Sequence, residues 1–367
     1  MQSPIKQPIL GLLGTLISVG LALAISVQFD GSTLVGWVGQ IVMGSIPAQM
    51  VIIAVWQGAY PAALAKLPQP AKGLAILGLM GLASAVVTPI ILATVGGGVT
   101  PPTPFATMFT VISICTSFWV MPLFKCWPVT AVAKHPVALG LGVLLLAYGA
   151  AAVVWHFGFD FAAMQGAPFY QASLDPHGLV PAWNIFSFIV TASLVIIGFV
   201  MLDDWPVNAI ADMLPVLGRQ PLRAVTSAVL VLLLSGGLWS LCVSILHMDV
   251  VDYLVRVPVS GLFGQLIMLH MMQTAPFQAL RQPVKGMALL VVTVALAGPM
   301  YWLYAQVATA LVGPMASGAP GYVLDVWIAT AMLAVTFPMF VTYGDAFGFW
   351  PLQRPQSAGD QAAEAKV

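Results

Sequence analysis

In a chain this apolar, few side chains can do chemistry, and most of those are amides. Gln49 and Gln265 fall inside long uncharged stretches. Gln273 follows Gln265 by eight residues, as Gln57 follows Gln49. His270, in Met268-Leu269-His270-Met271-Met272-Gln273, is the one ionisable group read near the middle of an apolar run. A polar or ionisable group in hydrocarbon is costly, which makes it a functional candidate by default. Gln49, Gln265, His270 and Gln273 are therefore the expected lining of a solute path, between the second and eighth apolar runs. The same amides, with Gln40, Asn184 and Gln306, can instead glue helices together.

Other chemistries fit less well. Thioether and imidazole ligands select copper, but Met268 and Met272 share a helix face while His270 points about 160° away. No metal is expected. Asp203-Asp204 and Asp212 form one acidic cluster, whereas holding Mg²⁺ and a diphosphate takes two. A contact between Lys125 and Asp203 or Asp204 is the plainer expectation. Cys115, Cys126 and Cys242 show no Cys-x-x-Cys spacing and read as small buried side chains. The sequence contains no phosphate-binding loop, dinucleotide fingerprint or haem-attachment motif. No cofactor is expected, and an enzyme is the less favoured class because paired carboxylates and His pairs are missing.

The elements that position these residues follow from composition. Of 367 residues 60% are hydrophobic and 7% charged, where soluble domains carry roughly 25% charge. Such a chain cannot cover a water-facing surface, and its zero net charge offers no basic patch. Soluble enzymes and nucleic-acid binders are excluded. A membrane-crossing helix takes about 20 apolar residues. The uncharged stretches, divided at Gly96-Gly97-Gly98 and Pro101-Pro102, predict an all-α integral membrane protein. Its ten helices are expected near 8–27, 34–57, 73–96, 105–125, 136–157, 182–202, 222–247, 258–279, 286–311 and 320–343.

Orientation follows the Lys/Arg bias of short loops. Lys6, Lys66, Lys72, Lys125, Lys134, Arg219, Arg223, Arg281, Lys285, Arg354 and Lys366 all fall on one side of a ten-helix chain, and Arg256 alone on the other. Both termini are then cytoplasmic, in a bacterial-type inner membrane. The loops on the basic side resemble one another. Trp56-Gln57-Gly58-Ala59-Tyr60-Pro61 precedes Gln69-Pro70, Trp127-Pro128 precedes His135-Pro136, Trp205-Pro206 precedes Gln220-Pro221, and Ala275-Pro276 precedes Gln282-Pro283. The recurrence, every 70 residues or so, reads as five tandem parallel helical hairpins. They lie roughly at 1–70, 71–135, 136–220, 221–283 and 284–355, within a single membrane domain spanning 1–355. A flexible cytoplasmic tail, 356–367, follows.

Parallel copies disfavour inverted-repeat transport, and no charge at a helix centre disfavours strong ion coupling. The expected function is a permease for a small neutral or apolar solute. The alternative is an anchor or scaffold subunit of a larger membrane complex, possibly a redox complex. Expected partners are the lipid bilayer, a membrane or periplasmic protein at the aromatic 158–181 loop, or a second copy of the chain, but no nucleic acid.

Overall fold

The computed structural model describes residues 5–353 apart from 168 and 320; the tail 356–367 and Arg354 and Lys366 lie outside the described residues. Among the described residues, ten helices are long and apolar enough to cross a membrane. They are α1 (Ile9–Ser26), α2 (Gly31–Val55), α3 (Ala71–Thr94), α4 (Pro104–Leu123) and α5 (Pro136–Gly158), then α6 (Ala182–Met201), α7 (Leu222–Ile245), α8 (Val250–Met271), α9 (Val284–Val312) and α10 (Val323–Ala346). Nine match the expected stretches closely. The eighth is a correction: it was expected over 258–279 and runs eight residues earlier. Asp252 and Arg256 lie in its first two turns, where they pair at 2.5 Å four residues apart.

The even-numbered helices form a closed inner ring in the order α2, α4, α6, α8, α10, with α10 returning to α2. Each odd helix packs outside, in the groove between two ring members. α3 lies over α10 and α2, α5 over α2 and α4, α7 over α4 and α6, α9 over α6 and α8, and α1 over α8 and α10. Burial follows this order: 56–78% of each ring helix is buried, against 17–39% of each outer one. The outer faces carry exposed leucines and valines such as Leu16, Leu82, Leu145, Leu233 and Val294. That much exposed apolar surface suits hydrocarbon rather than water.

Apolar helices gain no hydrophobic attraction for each other in lipid, so polar bonds and close packing must join them. Such bonds recur between neighbours. Gln40 Nε2 donates to Thr110 Oγ1 at 2.7 Å, Trp239 Nε1 to Ser187 Oγ at 2.9 Å, and Thr116 Oγ1 to the Ala147 carbonyl at 2.9 Å. Hydroxyl pairs join Thr191 to Tyr253 at 2.8 Å and Tyr304 to Thr336 at 2.6 Å. Close approach is built in at Gly264, where a Cβ would stand 2.7 Å from the Thr293 carbonyl oxygen of α9.

Candidate functional site

The four residues expected to line one path do not come together. Gln49 is almost fully buried on α2. Its Nε2 donates to the Pro338 carbonyl at 3.0 Å and to Thr342 Oγ1 at 3.2 Å, both on α10. Gln265, equally buried on α8, donates to the Leu194 carbonyl of α6 at 3.1 Å. Each amide therefore fastens its helix to the preceding member of the ring, and α2 and α8 are not ring neighbours. Both Oε1 atoms find no donor among the described residues. Pro47, two residues before Gln49, sits where α2 is interrupted by a turn at Ser45.

His270 is not near the middle of its helix. It lies in the last turn of α8, and its Nδ1 is 2.6 Å from Asp345 Oδ2 in the last turn of α10. The early start of α8 puts it there. Gln273 lies beyond the helix, exposed, with φ at +50°. It belongs to a backbone device found at the end of all five ring helices. Two successive left-handed residues follow each: Gln57-Gly58, Lys125-Cys126, Asp203-Asp204, Gln273-Thr274 and Gly348-Phe349. In all but α6 a wide final turn precedes them, as when Met272 N donates to the Ile267 carbonyl at 2.9 Å and Thr274 N to the Met268 carbonyl at 2.9 Å. The spacing of Gln57 and Gln273 thus reflects helix termination. Left-handed residues other than glycine cost of order 1 kcal/mol each and persist only where their surroundings fix them.

A second device lies at the same ends. Gln-Pro-x-x-Gly/Ala occurs at 7–11, 69–73, 220–224 and 282–286, and in each copy the glutamine makes the same two bonds. Its Nε2 donates to the last carbonyls of a ring helix: Gln7 to Met271 at 2.9 Å, Gln69 to Ala346 at 2.7 Å, Gln220 to Phe124 at 3.2 Å and Gln282 to Met201 at 3.0 Å. Its Oε1 accepts the N–H four residues on, at Gly11, Gly73, Ala224 and Gly286. Orphan carbonyls at one helix end and an orphan donor at another helix start are satisfied by one side chain. At the fifth junction His135 replaces glutamine, and the link between helices runs from Trp56 Nε1 to the Pro136 carbonyl at 2.8 Å.

Charges gather beside these junctions. Asp204 accepts from Lys125 Nζ at 2.8 Å and from Arg223 Nη2 at 3.2 Å, the expected pairing of Lys125 with the acidic pair. On the opposite end Asp249, Asp252 and Arg256 lie at the start of α8. Tyr322 Oη donates to Asp249 Oδ2 at 2.8 Å, and burial followed by that bond pushes its phenol up to about 12. The 158–181 loop folds on itself. Asp175 accepts from the Phe161 and His177 amides at 3.2 and 2.9 Å and from Tyr170 Oη at 3.0 Å. Phe159 and Phe161 of this loop pack against Trp155 and Phe105, with the Trp155 and Phe159 rings stacked at 5.1 Å.

A wide concavity lies elsewhere. A cleft of about 930 Å³ opens sideways between the outer helices α1 and α3, floored by α2 and α10. Its walls are aliphatic and aromatic, from Leu77, Met80 and Phe347 at one end to Trp37 and Leu92 at the other. Gly81 on α3 lies at mid-length, with nothing within 4 Å of where its Cβ would be. Concave, mostly apolar sites of roughly 300–1,000 Å³ are where small ligands bind. No protein-family model, curated protein or solved structure matches the chain.

Proposed function

We propose that the chain is inserted in a bacterial-type inner membrane as five parallel hairpins, with both termini cytoplasmic, and acts as a permease for an apolar solute that enters sideways from the bilayer. The lateral cleft between α1 and α3 carries this reading. A water-filled path for a polar solute is not supported, because Gln49 and Gln265 are bonded at separate helix contacts and His270 is paired at a helix end. The five similar ring-helix ends and the Gln-Pro-x-x-Gly/Ala junctions support the parallel repeat.

The test is transbilayer movement of a fluorescent amphiphile in proteoliposomes, read by chemical quenching of the outer leaflet. The protein is expected to speed movement, and Ala85→Trp, which fills the cleft from α3, to abolish the gain. The anchor or scaffold reading draws on one observation: the helix-joining polar groups leave a closed, packed ring. It prevails if movement is not accelerated and native mass spectrometry of gently extracted protein finds a co-purifying subunit.

A further inference from the structure

We infer that Asp160, Asp175 and His177, on the loop between α5 and α6, bind one Zn²⁺ ion. The site is independent of the permease reading. The loop is closed by its own main chain. Residues 159–160 and 180–181 pair as two short parallel strands, Phe159 beside Val180 and Asp160 beside Pro181. Gly178 N donates to the Phe159 carbonyl at 2.7 Å, and Leu179 N to the Phe157 carbonyl at 3.0 Å. A Cβ at Gly178 would stand 2.5 Å from the Phe159 nitrogen, so the two stems of the loop meet main chain to main chain. That closure sets Asp160, just past the end of α5, beside the Asp175-Pro176-His177 turn, and one donor atom from each of the three side chains lies within 4.8 Å of the other two. His177 Nδ1 is 3.5 Å from Asp175 Oδ2. Zinc bonds of about 2.0–2.1 Å at tetrahedral angles put neighbouring donors about 3.3–3.4 Å apart. This pair therefore already has nearly the spacing of two ligands on one ion.

Burial separates one fixed ligand from two adjustable ones. The Asp175 side chain is 0% exposed, and the Phe161 and His177 amides and the Tyr170 hydroxyl orient it. Such bonds fix a ligand from behind, as around known metal sites, but they bring no positive charge. Buried carboxylates are paired or coordinate metals, and among the described residues the one ion-pair partner of Asp175 is His177. With His177 bound as a neutral ligand, the ion supplies the charge. The His177 side chain is 63% exposed and free to turn. Asp160 is half-buried, and its Oδ1 accepts the Ala162 N–H at 2.9 Å, leaving its second oxygen to turn toward the ion. One imidazole and two carboxylates suit zinc, whereas calcium takes six to eight oxygens and copper(I) selects thiolates and thioethers. Three protein ligands leave a fourth position for water. The bound ion ties the start of the loop to its end.

The experiment is a Co²⁺ titration of the full chain in detergent, stripped with EDTA and carrying no polyhistidine tag, read by visible absorption, with Zn²⁺ then added in competition. One ion per chain is expected, with the intense bands of tetrahedral cobalt, and Zn²⁺ should displace it. His177→Asn and Asp160→Asn should each weaken binding on the order of tenfold or more. Neither residue is buried, so both variants keep the fold. His177→Cys, which restores a ligand, should retain binding and add a thiolate-to-cobalt band in the near ultraviolet. His135→Asn, at the opposite end of α5, should leave binding unchanged. Absence of cobalt and zinc binding overturns the inference. Binding indifferent to both His177→Asn and Asp160→Asn identifies an adventitious surface ion only and overturns it as well. So does Ca²⁺ displacing cobalt as readily as Zn²⁺ does, which would assign the loop to an oxygen-ligand cation.

Discussion

Replacing the junction glutamines one at a time measures what holds the ten helices in register. In Gln282→Leu the carbonyl of buried Met201, at the end of α6, loses its donor, and the Gly286 N–H at the start of α9 loses its acceptor. Asp203 Oδ2, held at 2.8 Å, also loses a partner but faces water and can be resolvated. A net hydrogen bond is worth about 0.5–1.5 kcal/mol, and a buried group left unsatisfied costs about 1–3. Met201 and Gly286 are buried but Gln282 itself is only half-covered, so water can partly reach the vacated groups and the lower part of that range applies, giving ~1–2 kcal/mol. Gln69→Leu should cost as much, since its bond to Ala346 is the shortest of the four and also partly buried. Gln220→Leu should cost least, because its 3.2 Å bond to Phe124 is exposed. Gln69 and Gln282 share no partner, so their double variant should be close to additive.

The assay is thermal unfolding in detergent, followed by a thiol-reactive dye that reads the buried Cys115 and Cys242. At about 2–4 °C per kcal/mol, Gln69→Leu and Gln282→Leu should each lower the apparent Tm by several degrees. Gln282→His should lie between wild type and leucine, because His135 takes the glutamine's place at the fifth junction and accepts the Val137 N–H through Nδ1. Wild-type Tm in both Gln69→Leu and Gln282→Leu would refute the reasoning. So would Gln220→Leu being the most damaging of the series.

Two further outcomes are expected. At the Asp204 junction, Arg223→Ala should destabilise more than Lys125→Ala in the same assay, because Lys125 is half exposed and such pairs contribute about 0–1 kcal/mol, whereas Arg223 is mostly covered and also donates to Asn208 at 3.0 Å; equal effects would count against the assignment. Asp30, between α1 and α2, has its carboxyl held well below the usual carboxylate range by the Ser32 hydroxyl first, then the Thr33 hydroxyl and amide. A lowered folded pKa adds stability that is present above the unfolded value of about 3.9 and is lost as pH falls through the folded value. The stability gap between wild type and Asp30→Asn should therefore be flat above about pH 5 and shrink below about pH 4; a gap that widens on acidification would contradict the sign.

The number of helices is legible in the sequence because length and apolarity are local properties. Where that reading slips, at α8, the reason is also local. A charge at a helix end was taken to mark a loop, yet Asp252 and Arg256 pair along one helix face and can be carried within it. His270 was displaced with the boundary. The amides were legible as unusual residues but not as partners, because Gln49 and Gln265 bind main-chain carbonyls, and every residue offers one of those. The junction glutamines differ. Their pattern, Gln-Pro-x-x-Gly/Ala, stood in the sequence four times, and its physical content lay in the least conspicuous position. The small residue four places on is where the N–H is taken and where the partner helix comes close: a Cβ at Gly11 would meet the Met271 carbonyl, and one at Gly286 would stand 2.8 Å from the Met201 carbonyl oxygen. The cleft could not be read at all. It is made by side chains that are small, Gly81 and Ala85 on α3, and by the meeting of helices from opposite ends of the chain, α1 and α10. Residues that bind announce themselves by type, whereas a space is specified only once the ring has closed.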